Sequence, residues 1–138
     1  MTATIKDNLA NPGSRLLIYV EGTASTANAG QGNIANPFGQ TVLVRRAELI
    51  TKTPSTNAAN LSIGITTSGG AATDILNAAA VNGLAANHVY NCFAMQNTAK
   101  TEIAAPALWT TNKYLTLTAS ASMVGYTGYL CLEVVRIP

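Results

Sequence analysis

The chain has 138 residues, a length that suits one domain and buries roughly 70% of its unfolded surface, so no metal or disulfide staple is needed to hold it. Only 10% of the residues are charged and 48% are apolar, which excludes a disordered chain and describes a compact body with an almost uncharged skin. The net charge of +2 comes from eight Lys/Arg and six Asp/Glu. They are scattered, and Arg45-Arg46 is the one basic pair, so a nucleic-acid reader that must neutralise several phosphates is excluded.

No run reaches the ~18 apolar residues of a membrane span, and "MTATIKDNLANPGS" lacks the apolar core of a signal peptide. The expectation is a protein that stays in the cytosol where it is made, with no membrane partner. Residues 1–14 carry Asn8, Asn11, Pro12 and Gly13 without periodicity and read as an extended N-terminal arm. Residues 15–138 then read as a single domain.

"RLLIYVE" (residues 15–21) is a β-rich run with Leu16, Ile18 and Val20 on one face. Residues 22–40, "GTASTANAGQGNIANPFGQ", have no hydrophobic period and read as a long surface loop pinned at Phe38, behind the Asn36-Pro37 turn. "TVLVRRAELITK" (41–52) is a long strand whose alternation breaks at Arg45-Arg46. Val42 and Val44 share a face, then Ala47 and Leu49 take over, and a β-bulge at the arginines reconciles the halves.

"NLSIGIT" (60–66) alternates cleanly, with Leu61, Ile63 and Ile65 inward. Residues 73–82 are the one helix candidate, capped by Thr73 or Asp74 and ended by Gly83. "HVYNCFAM" (88–95) is a strand with Val89, Asn91 and Phe93 on one side and His88, Tyr90, Cys92 and Ala94 on the other. After the short segment "IAAPALW", "KYLTLTASA" (113–121) and "YLCLEVVRI" (129–137) are the clearest strand pair. A Gly-containing link between them predicts a hairpin. On the last strand Leu130, Leu132 and Val134 oppose Tyr129, Cys131, Glu133 and Val135. That second set is too apolar for a freely solvated face, so it predicts a second covered surface. Short strands with turn punctuation and at most one helix predict an all-β chain, an antiparallel β-sandwich or barrel.

Catalytic chemistry has little to stand on. His88 is the only histidine, and no G-x-S-x-G elbow presents a serine to it. Asp7, Glu21, Glu48, Asp74, Glu102 and Glu133 are the carboxylates; Glu48 and Glu133 are placed to pair with Arg45, Arg46 or Arg136 across a sheet. No His, Cys or Asp cluster has metal-ligand spacing, and "GGAATD" lacks the P-loop lysine. Cys92 and Cys131 have no CxxC spacing and read as free buried thiols, pairing only if their strands are neighbours. The expectation is therefore no enzyme, no cofactor, no metal and no small-molecule substrate.

"GNIANPFGQTVLVRRAELIT", "NLSIGIT" and "YLTLTASASMVGYTGYLCLEVVRIP" together resemble small head proteins of tailed bacteriophages. These are the cement or decoration proteins that bind outside the major capsid shell, including podophage ones that sit there as dimers. The resemblance is one of style over residues 30–138, without a signature site. It implies a jelly-roll-like sandwich, a homodimer, a virion location on the capsid exterior after synthesis in the host cytoplasm, and a major capsid protein as partner. Its role would be to clamp neighbouring capsomers. A phage tail, fibre or receptor-binding β-sandwich is the alternative, and a small hydrolase resting on His88 a third. From the residues themselves, Arg45, Arg46, Phe38 and Tyr129 are the candidate partner-binding positions, with the arm and the 22–40 loop as candidate capsid contacts.

Overall fold

Apolar side chains at every second position decide where the strands form, because each strand can then turn one side to a shared core. The computed structural model describes residues 3–8, 15–82, 86–92 and 107–137. Within them run β1 (Ala3–Asn8), β2 (Arg15–Glu21), β3 (Gly32–Ala35), β4 (Val42–Thr53), β5 (Asn60–Thr66), β6 (Leu76–Ala80), β7 (His88–Asn91), β8 (Ala107–Trp109), β9 (Tyr114–Ala119) and β10 (Thr127–Arg136). One sheet has the order β1-β2-β10-β4-β7, with β8 also paired to β4; the other has the order β3-β9-β5-β6. Every pairing between these strands is antiparallel.

The pairs are nested. β5 pairs β6, β4 pairs β7, β3 pairs β9 and β2 pairs β10, as in one long hairpin folded over on itself. Two further pairings, β10 with β4 and β9 with β5, close this folded hairpin into two facing sheets. The chain is an all-β, antiparallel sandwich with jelly-roll-like connectivity.

The core between the sheets has the residues that alternation predicts. Leu16, Ile18 and Val20 of β2, Leu130, Leu132 and Val134 of β10, and Leu61 and Ile63 of β5 are all buried. Ile65 is partly buried against them. The bulge expected in β4 is present: Glu133 pairs Arg46 and Val134 pairs Val44, which leaves Arg45 as the extra residue. Without that extra residue one half of β4 would turn its apolar side to water. With it, Val42, Val44, Ala47 and Leu49 are all buried.

Four expectations change. The helix over 73–82 is instead strand β6, because pairing with β5 overrides the helix propensity of its alanines. Ala78 has φ +53° and lies in a bulge opposite Ser62, whose Oγ accepts from the Ala78 N–H at 3.0 Å. Asp74, rather than capping a helix, accepts the Ile65 N–H at 2.8 Å. The predicted hairpin between the last two strands is a crossover, since β9 and β10 belong to different sheets. The reason lies in the link, whose Met123 and Tyr126 are fully buried and plug the end of the sandwich; a solvent-exposed hairpin turn would leave both in water. Tyr126 crowds β10 so closely that a Cβ on Gly128 would lie 2.6 Å from its hydroxyl.

The 22–40 segment contains edge strand β3, which Ile34 alone could not announce by periodicity. Its preceding loop is held by Gln31, fully buried, whose Nε2 donates to the Thr23 and Ser25 carbonyls while Oε1 accepts the Thr23 N–H. Of the expected arm, Ala3–Asn8 pairs along β2, and residues 9–14 lie outside the described residues. On β7 the two sides divide as alternation predicts for Tyr90 and Cys92, which are buried, and for Val89 and Asn91, which are exposed. Phe93 and Ala94 lie outside the described residues.

Two stability outcomes follow from this packing. Deleting Leu130–Pro138 removes the strand between β2 and β4 and is expected to abolish the cooperative thermal transition; a truncated chain that still melts cooperatively would show the core to be elsewhere. Gln31→Ala leaves three backbone groups of the 22–31 loop without their partner. It should lower stability by about 1–3 kcal/mol in urea unfolding.

Candidate docking surface

A sandwich covers only the inner side of each sheet, so the outer sides show what the sequence expects to meet there. On the β3-β9-β5-β6 sheet the outward positions are mostly polar: Asn33, Ser62, Thr66 and Thr118, with the partly buried Tyr114 and the fully buried Thr116. On the other sheet they are largely apolar. β2 contributes Leu17 and Tyr19, β10 contributes Tyr129, Cys131 and Val135, and β4 contributes Leu43 and Ile50. Val89 on β7 is 49% exposed and Leu108 on β8 is 56% exposed, well beyond what a covered position would show.

The register arranges these side chains in rows across the strands. Tyr19, Tyr129, Ile50 and Val89 form one row, in which the Tyr19 and Tyr129 rings are 5.5 Å apart. Leu17, Cys131, Glu48 and Asn91 form the next. Arg15, Glu133 and Arg46 form a charged row beyond it, and Val135, Leu43 and Leu108 close the surface. The charged row and its neighbour edge an open groove of about 470 Å³, floored by Leu17 and Cys131. Arg46 donates to Glu48 two residues along its own strand, Nη2 to Oε1 at 2.9 Å. The partners are among those expected, but the pair lies along one strand rather than across the sheet.

Three of the four sequence candidates thus meet on one face. Arg46 and Tyr129 both point outward from the β2-β10-β4 side, and Arg45 is exposed there at the bulge, between inward Val44 and Ala47. Phe38 is elsewhere, buried among the core residues. Its ring packs edge-on against Trp109 at 6.1 Å, with the Arg136 guanidinium 5.9 Å from its centroid, so it anchors its loop. Asn36 makes that anchor rigid by accepting the Phe38 N–H at 2.7 Å. The residues that sequence reasoning missed are Leu17, Leu43, Ile50, Val89 and Leu108. Their signal was present as apolar residues at the off-alternation positions of "RLLIYVE", "VLV", "ELIT", "HVY" and "ALW".

The remaining candidate groups do not gather. His88 is exposed on β7 with its ring 4.8 Å from that of Tyr90. Among the described residues no group of three or more His, Cys, Asp or Glu is placed to hold a metal ion. No helix among them is long and apolar enough to cross a membrane. Both thiols are free, because β7 and β10 lie on opposite sides of β4, with Cys92 turned inward and Cys131 outward. Burial pushes the Cys92 thiol up to about 12. Cys131 is also raised, by burial first and by the Glu48 carboxylate second. The buried Tyr126 hydroxyl, bonded to Thr51 Oγ1 at 3.1 Å, rises to about 12, again through burial.

Comparison of the chain with family profiles, with curated proteins and with solved structures found no match.

Cys92 and Tyr126 also make the fold less stable at alkaline pH, and burial of Tyr90 and Cys131 acts in the same direction. Their folded pKa values lie above their ordinary values of 9.0 and 10.0, so between those values and about 12 the folded state holds protons that the unfolded state has released. Stability is complete below pH 9 and should fall above it, by up to ~1.4 kcal/mol per pH unit for each group. Urea unfolding between pH 8 and 11 measures the slope, and Cys92→Ala with Tyr126→Phe is expected to flatten it.

Proposed function

We propose that this chain is a structural virion protein that binds the outside of a phage capsid and stabilises the shell by bridging capsomers. The observation that carries the reading is the unequal outer surfaces of the sandwich, one neutral and polar, the other apolar with a groove edged by charges. A contiguous apolar sheet face turned to water is the mark of a surface built to be covered by protein. The resemblance of its strand-forming segments to phage cement proteins is what supports a capsid as the lattice.

Such a role asks little of each copy. Many copies on a repeating shell multiply a modest contact by avidity, and each stabilises the mature shell by mass action if it prefers that state. The 22–31 loop suits a contact of this kind. Thr26, Ala27 and Asn28 are exposed on a backbone that Gln31 already holds, so little ordering entropy is lost on docking.

Cosedimentation with expanded shells that lack this protein tests the reading. Saturable binding, together with a higher melting temperature of the decorated shell, is the expected result. Absence of binding at micromolar concentrations would sink it. A trimer that binds glycans would favour a fibre or receptor-binding module instead.

A further inference from the structure

The apolar sheet face bears its charges in a definite order, and that order selects what can cover it. Across β2, β10 and β4 the outward row reads Arg15, Glu133, Arg46, plus–minus–plus, with the bulge residue Arg45 exposed beside Arg46 on the same side. Neighbouring strands are ~4.8 Å apart, so a surface that answers each charge must repeat at that interval. An extended peptide presents same-side residues every ~6.8 Å and drifts out of step within two charges; a second β-sheet face, packed ~10 Å above and nearly aligned, keeps step.

We infer that this face pairs with the same face of a second copy, about a two-fold axis that runs along the strands between β10 and β4. The inference rests on the structural-protein reading above and names the surface through which it self-associates. Rotation about that axis places every outward residue of β10 over its β4 neighbour in the other copy. Glu133 then meets the second copy's Arg46, and Arg46 meets the second copy's Glu133. Tyr129 lies over Ile50, Val135 over Leu43 and Tyr19 over Val89, apolar on apolar, while the row between sets Cys131 over Glu48 and Leu17 over Asn91.

Shifting the axis onto β10 would stack Glu133 on its own copy, and shifting it onto β4 would stack Arg46 on its own copy. Both are repulsive, so the charges fix the register as well as the partner. The groups concerned are free to exchange: the Arg46 side chain is 65% exposed in its pair with Glu48, and Glu133 makes no ion pair among the described residues. An isologous contact of this kind closes on itself and leaves the polar sheet and the loops of both copies outward. A clamp across two capsomers needs two equivalent attachment surfaces of that sort.

Charge exchange tests the pairing. By analytical ultracentrifugation the unaltered chain is expected to be a dimer. Glu133→Arg alone and Arg46→Glu alone should each weaken it roughly tenfold to a hundredfold, while the double exchange restores it to within a few-fold. Thermal melts of the four proteins check that each is folded. A monomeric unaltered chain, single variants that dimerise as well as it does, or a double exchange without rescue would each overturn the inference. The same proteins added to expanded shells separate the two readings. Monomers that still bind shells would remove the paired face and keep the capsid role; dimers with the rescue pattern that ignore shells would remove the capsid role and keep the face.

Discussion

Everything in this fold depends on β10 lying between β2 and β4. The nested pairs of the folded hairpin would otherwise leave two open sheets with long unpaired edges, which invite aggregation. The last strand fills the central gap of one sheet, with partners on both sides along most of its length. It also carries three of the buried side chains that join that sheet to the other. Because β2 and β10 come from opposite ends of the sequence, this closure gains its contacts only after most of the chain is placed. Such non-local topologies fold slowly for that reason.

A central antiparallel strand has two sides to account for, and only one of them faces the core. In β10 the inward side is Leu130, Leu132 and Val134, and the outward side is Tyr129, Cys131, Glu133 and Val135. Its neighbours repeat the pattern with Leu17, Tyr19, Leu43 and Ile50. An apolar residue left in water forgoes about 25 cal/mol for every Å² that burial would remove. A low overall charge does nothing to keep two such faces apart. The same strand that completes the monomer thus makes its surface prone to association.

The parts of the structure that local pattern controls were legible in the sequence. Alternation located β2, β4, β5, β9 and β10, and the broken alternation at Arg45-Arg46 located the bulge with its extra residue. What pattern could not reveal was which strand pairs with which. The 120–126 link has the residues of a turn, but Met123 and Tyr126 are pulled under the sheets, and period-two alternation is the same in either sheet. β3 and β6 are edge strands with one or two inward apolar residues each, too few to register as a period. For the surface, the second apolar side of the last strand was visible from the start. The matching residues on β2, β4, β7 and β8 came into view only once the register set them in rows.

The two outer surfaces differ in how their polar groups are used, and this separates their roles. On the β3-β9-β5-β6 side the hydroxyls are already engaged by the backbone. Thr118 Oγ1 accepts the Ala29 N–H at 2.9 Å, Ser62 Oγ accepts the Ala78 N–H, and Thr116 Oγ1 donates to the Gly64 carbonyl at 3.4 Å. Asn33 is tied to Ser68 and to the Gly69 N–H. Those groups close loops and bulges. On the β2-β10-β4 side the outward residues instead offer carbon to water, interrupted by a charged band in which Arg46 is paired with Glu48 on its own strand. Carbon supplies affinity without direction, whereas a row of fixed charges supplies direction with little affinity. Their combination on one sheet, opposite a sheet whose polar groups are internally satisfied, gives the two sides of the molecule different chemistry: one offers both affinity and direction to a protein surface, the other mainly closes its own loops.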